Sequence, residues 1–167
     1  MTLSVERDGS VLVRAPRRMP AAEIDRFVAS HEDWIRTHRE KMQRRAAFDE
    51  AHFSAPEQIT ALQQAAERIL PAKTAYWASV MGVKPVSVRI TGAKTRFGSC
   101  SAKDGICYSW RLMAYPEEAQ EYVVVHELAH ILEKNHSRKF YAVIERYLPD
   151  WRQREALLRH PAPAQED

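Results

Sequence analysis

The chain has 167 residues, about the length of one ordinary domain and enough to enclose one hydrophobic core. Hydrophobic residues make up 45 % of it and charged residues 28 %, a globular composition that excludes a disordered or fibrous chain. The net charge of +3 is far from polybasic, Met1 to Asp8 lack the regions of a secretory signal, and no run of about 18 apolar residues could span a bilayer, so a cytoplasmic protein is expected.

Leu3 and Val5, then Asp8-Gly9, then Val11 and Val13 alternate about a dipeptide that favours reversal, which predicts a β-hairpin over residues 1–20, closed by Pro16 and Pro20. From Ala21 the period turns helical through Ile24, Phe27, Val28, Trp34 and Ile35, and one helix is expected to run into the basic stretch Lys41 to Arg45. A break around Ser54 to Pro56 precedes a second helical stretch through Ile59, Leu62, Ala66, Ile69 and Leu70. Pro71 must interrupt it, kink it or begin the next helix, and Gly82 reads as a C-terminal cap.

Beyond the helical part, residues 21–82, the pattern changes again. Val86, Val88 and Ile90 alternate, Gly92 and Gly98 punctuate, and Ile106, Tyr108, Trp110 and Leu112 alternate, which predicts a small sheet of two or three strands. Pro116 followed by Glu117 and Glu118 marks a helix start. That helix is apolar from Tyr122 to Leu132 except for His126, Glu127 and His130, as a buried central element would be. Asn135 can supply a left-handed turn to end it, and Ser137 can cap a following helix carrying Phe140, Val143, Ile144 and Tyr147, which Pro149 ends or kinks. The expected organisation is one α+β domain over residues 1–160 and a disordered tail over 161–167. Cys100 and Cys107 read as buried free thiols, the alternatives being a hairpin disulfide or a second metal site.

His126-Glu127-Leu128-Ala129-His130 has the form H-E-x-x-H. Side chains four apart share one helix face, so both imidazoles can reach one ion, while Glu127 is offset by about 100° and contacts water instead of completing the ligand set. Zinc brings the pKa of water towards ~7, and a carboxylate there can take its proton and pass it to a leaving group. The five-residue pattern alone arises by chance in roughly one such sequence in fifty. A third ligand decides the reading: His136 follows His130 by six residues, beyond the expected helix end, where a reversing chain can return it to the same ion. Three nitrogens leave the fourth position open, as catalytic zinc requires. The alternatives are a helix whose histidines are satisfied by ordinary hydrogen bonds, and a structural zinc site in which Glu127 has no task.

Thr95-Arg96-Phe97-Gly98-Ser99-Cys100-Ser101, Tyr108-Ser109-Trp110-Arg111-Leu112, Tyr122 to His130, and Asn135-His136-Ser137 resemble the YgjP-like metallopeptidase family, itself similar to the SprT-like and WLM zincins. The resemblance is strongest from Thr95 to Trp151 and extends through Val13-Arg14-Ala15-Pro16 and Trp34-Ile35. It departs from the family at Phe97, where tryptophan is usual, and at Ser109, where asparagine is common. The resemblance implies a minimal zincin fold, a small sheet packed on the active-site helix, with zinc on His126, His130 and His136 and catalysis by Glu127.

The expected activity is hydrolysis of peptide bonds, with the strand Ile106 to Leu112 as the rim along which a polypeptide lies. Lys84, Arg89, Lys94, Arg96, Lys103 and Arg111 make the sheet region basic, which leaves open a nucleoside triphosphate as substrate or a nucleic acid as partner. A zinc-stabilised binding module without activity is a third reading. Arg96, Arg111 and Tyr141 are the candidate donors to a developing oxyanion.

Overall fold

The computed structural model describes residues 1–6 and 8–159. The expected tail, residues 161–167, lies outside the described residues. The chain divides into two compact units, Met1–Ala51 and the part from His52 onward.

In the first unit, β1 (Thr2–Val5) and β2 (Val11–Arg14) pair antiparallel, with Leu3 opposite Val13 and Val5 opposite Val11. Gly9 takes φ 81° in the reversal, a conformation that costs glycine least. The helical stretch that follows is two helices where one was expected, α1 (Ala21–Ala29) and α2 (Glu32–Phe53). No glycine or proline breaks it. The Ser30 hydroxyl donates to Phe27 O at 2.8 Å, and His31 Nδ1 lies 2.7 Å from the same carbonyl, so side chains satisfy the end of α1. α2 then continues well past Arg45.

In the second unit, α3 (Pro56–Met81) continues through Pro71 without ending there. Proline in a helix interior costs about 3 kcal/mol, and burial of Ala66, Leu70, Thr74, Ala78 and Met81 along one side offsets it. Gly82 caps α3 at φ 67°.

The sheet has three strands, β3 (Ser87–Thr91), β4 (Gly98–Cys100) and β5 (Gly105–Ser109), in the order β3-β5-β4. β5 is therefore the central strand, parallel to β3 and antiparallel to β4. It cannot be the peptide-binding rim, because both of its edges are paired. It is also shorter than its alternation implied: Trp110–Ala114 coil into a 3-10 turn that still buries Trp110 and Leu112. The edge strands are β3 and β4, and β4, the one packed on α4, is too short to announce itself by alternation. Cys100 stands opposite Ile106 and Cys107 opposite Ser99, so the two thiols point to opposite faces and cannot form a disulfide.

α4 (Glu117–Leu132) packs against α3, β4, α5 (Arg138–Tyr147) and α6 (Trp151–Arg159). Val124, Val125 and Leu128 have no exposed surface, each contributing about 1.5–3 kcal/mol, and this makes α4 the central element its composition predicted. Its end differs from expectation. Glu133 leaves the helix in an extended conformation at φ −136°, and Asn135 is not left-handed, Asp104 being the non-glycine residue with positive φ among the described residues. Ser137 caps α5 by accepting from Phe140 N, as expected.

Candidate metal centre

Tyr122, His126 and His130 follow one another at four-residue spacing on α4 and share one face. His136 reaches that face from the short connection to α5. The connection turns tightly, Ser137 N donating to Asn135 O at 2.7 Å, and Lys134 tethers it to the β4–β5 turn through the Asp104 carboxylate and Ser101 O. One donor atom from each of His126, His130 and His136 lies within 4.8 Å of the others. Nε2 of His126 and Nε2 of His136 are 3.1 Å apart.

The rings are oriented from behind. His126 Nδ1 lies 3.3 Å from the Tyr122 hydroxyl, and His130 Nδ1 lies 3.2 Å from the Glu133 carbonyl. A carbonyl only accepts, so the His130 proton sits on Nδ1 and its Nε2 is left with a free lone pair. Phe140 forms the floor beneath all three imidazoles, its centroid 4.4 Å from that of His130 and 4.9 Å from those of His126 and His136.

Burial, reinforced by the neighbouring imidazoles, pushes His126 down to about 3, and burial also lowers His130. Neutral imidazole is the form that donates to a metal, so the electrostatics and the geometry favour the same state. Glu127 is 6 % exposed, and burial pushes its carboxyl up to about 8 against the opposing charge of Arg96. Three converging imidazole nitrogens match the donor set and number of a zinc site with one position open. They face a recess of about 380 Å³ that also contains Arg96, Cys100 and Lys134. The residues present therefore fit a zinc ion.

The model of the family described as "YgjP-like, metallopeptidase domain" matches residues 1–64 and 58–161, almost the whole chain. The chain belongs to the YgjP-like metallopeptidase family. Comparison with curated protein sequences returns no match. Among solved structures the chain is similar to the crystal structure of the metallopeptidase zymogen of Pyrococcus abyssi abylysin, at 23 % identity and a TM-score of 0.49, over 54 % of this chain and 91 % of that one.

Of the three oxyanion candidates in this YgjP-like chain, Arg96 lines the recess. Arg111 turns elsewhere, its guanidinium 4.4 Å from the Phe53 ring and 4.8 Å from that of Trp110. Tyr141 flanks His136 at 6.4 Å between ring centroids and stacks on Trp151 at 5.0 Å. Of the basic residues in the sheet region, Arg96 alone reaches the recess. A second recess of about 270 Å³ also borders Glu127, lined by Phe97, Tyr122, Val123 and Leu158 with the Glu155–Arg159 ion pair at 2.8 Å. The two recesses share Gly98, His126 and Glu127.

Sequence reasoning missed Tyr122 and Phe140 as parts of this centre. Both stood four residues from a histidine of the cluster, Tyr122 before His126 and Phe140 after His136, and that spacing was the available signal. No helix among the described residues is long and apolar enough to cross a membrane.

Proposed function

We propose that this protein is a zinc metallopeptidase of minimal zincin type in which His126, His130 and His136 hold the metal and Glu127 is the general base. The observation that carries the reading is the convergence of three imidazole nitrogens within 4.8 Å beside a buried carboxylate. A zinc ion there would supply Lewis acidity, acidifying water and polarising the scissile carbonyl. Glu127 accepts the proton that water loses as its oxygen adds to the carbonyl carbon. It then returns that proton to the amine nitrogen as the C–N bond breaks, so the carboxylate is regenerated in each turnover. Arg96, on the wall of the recess, is the donor available to charge developing on the carbonyl oxygen.

The free edge of β4 supports a polypeptide substrate. Ser109 N donates to Phe97 O and Ser101 N donates to Gly105 O, both at 2.8 Å, so alternation along the ladder turns Ser99 towards β5. The N–H and C=O groups of Gly98 and Cys100 then face outward, where an extended peptide can add as a further strand. Gly98, Ser99 and Cys100 also line the recess that contains the three histidines, which brings such a peptide to the metal.

The test incubates zinc-loaded protein and its Glu127→Gln variant with an unfolded polypeptide and a nucleoside triphosphate together, with products read by mass spectrometry. Peptide fragments formed by wild type and absent with Glu127→Gln are expected. Nucleotide hydrolysis without peptide cleavage would replace the reading with a phosphohydrolase, and no turnover of either would replace it with a binding module.

A further inference from the structure

Gly98 is not required by its backbone, since the glycines with positive φ among the described residues are Gly9 and Gly82. It is required by space. A Cβ placed on Gly98 would stand 2.8 Å from both Cγ and Oε1 of Glu127 and 3.0 Å from Cδ. No other described glycine is so placed: nothing lies within 4 Å of such an atom at Gly9 or Gly82, and at Gly92 and Gly105 the nearest atoms are 3.4 Å and 3.1 Å away. Gly98 pairs with Tyr108, whose side chain is fully buried, so the missing side chain would project from the inner face of the sheet towards α4.

We propose that Gly98 is a positioning residue for catalysis, its bare Cα forming the slot against which the Glu127 carboxylate is held beside the two recesses. The inference rests on the reading of Glu127 as the proton-transfer group. Its physical content is a question of which partner yields when the slot is filled. The β4 backbone is held by the Phe97 carbonyl accepting from Ser109 N at 2.8 Å and by the Phe97 ring packed edge-on against Tyr115 at 4.9 Å. The Glu127 side chain has three rotatable bonds and lines both recesses, into which its end can shift. A methyl group at Gly98 therefore displaces the carboxylate and leaves the strand, the α4 backbone and the imidazoles where they are.

The experiment compares the zinc-loaded full chain with Gly98→Ala, Glu127→Gln, Glu127→Asp and the double variant Gly98→Ala/Glu127→Asp. For Gly98→Ala, zinc stoichiometry, melting temperature and KM on an unfolded polypeptide should stay at wild-type values while kcat falls about 100-fold, the scale of an ångström's misplacement. Glu127→Asp shortens the side chain but keeps a γ-carbon at the position 2.8 Å from the new Cβ, so the clash persists and the double variant should be no more active than Glu127→Asp alone. A crystal structure of Gly98→Ala, which needs no substrate, should show the carboxylate moved with the three histidines unmoved.

Wild-type kcat in Gly98→Ala, or an unmoved Glu127 in its crystal structure, would overturn the proposal. So would a kcat loss accompanied by loss of zinc or of melting temperature, which marks a structural role. Undiminished turnover by Glu127→Gln would instead defeat the reading on which the proposal rests, so the two failures are distinguishable.

Discussion

The hydroxyl of Tyr122 lies 3.3 Å from Nδ1 of His126, one helical turn further on, and holds the imidazole with its other nitrogen aimed at His136. Partners of this kind set ring orientation and basicity in metal sites, and removing one costs about 10–100-fold in affinity. Tyr122→Phe keeps the ring, which stacks on Trp151 at 6.3 Å, and removes only the oxygen. Zinc affinity measured by competition with a chromogenic chelator should fall at least about tenfold with the fold intact. Unchanged affinity would show that the hydroxyl does not orient His126.

His136 is the exposed member of the three-histidine cluster and comes from a connection outside the helix. The apolar core around α4 forms without it, so chelated protein should remain folded. Zinc at about 100 times its dissociation constant should raise stability by about 2.7 kcal/mol. In His136→Ala the shift at the same zinc concentration should largely vanish while the metal-free melting temperature barely moves. Thermal melts with and without chelator check both, and an undiminished zinc shift in the variant would exclude His136 as a ligand.

Phe140 has no exposed surface and supports all three imidazoles. Phe140→Ala opens a cavity beneath them and should cost about 3–5 kcal/mol in the metal-free protein, with zinc affinity falling as well. Phe140→Leu, which refills much of the volume, should recover most of the stability. Urea denaturation of the three chelated proteins gives the comparison, and a loss below about 1 kcal/mol for the alanine variant would place the ring outside the core.

The outward edge of β4 can be probed at Cys100, whose N–H faces away from β5. Proline is tolerated in a strand where the N–H it removes is unpaired with the sheet. Cys100→Pro should therefore keep the three-stranded sheet and the zinc, and raise KM for a polypeptide by about 2–10-fold, the value of one hydrogen bond. Steady-state kinetics with parallel zinc analysis would show it. An unchanged KM would mean that substrate does not add to β4.

The features legible in the sequence are those carried by neighbours within a turn or two. The i, i+4 relation put His126 and His130 on one face of α4, alternation about Asp8-Gly9 marked the β1–β2 hairpin, and Gly82 and Ser137 announced their caps because cap chemistry depends on a few adjacent residues. The same locality misled where a nearby competitor mattered. Ser30 and His31 take the Phe27 carbonyl and split one apolar period into α1 and α2, while burial along α3 overrides the proline at position 71.

By itself, then, the sequence determined the make-up of the candidate centre: three histidines and a glutamate, with the helix that presents most of them. Only the tertiary structure decided how that centre is built and approached. Strand alternation reads the same in a central strand and at an edge, so pairing alone revealed that β5 is enclosed and β4 is open. The Phe140 floor and the fit of the Glu127 carboxylate against Gly98 join residues far apart in the chain. Such contacts depend on how whole elements pack, and no local period encodes them.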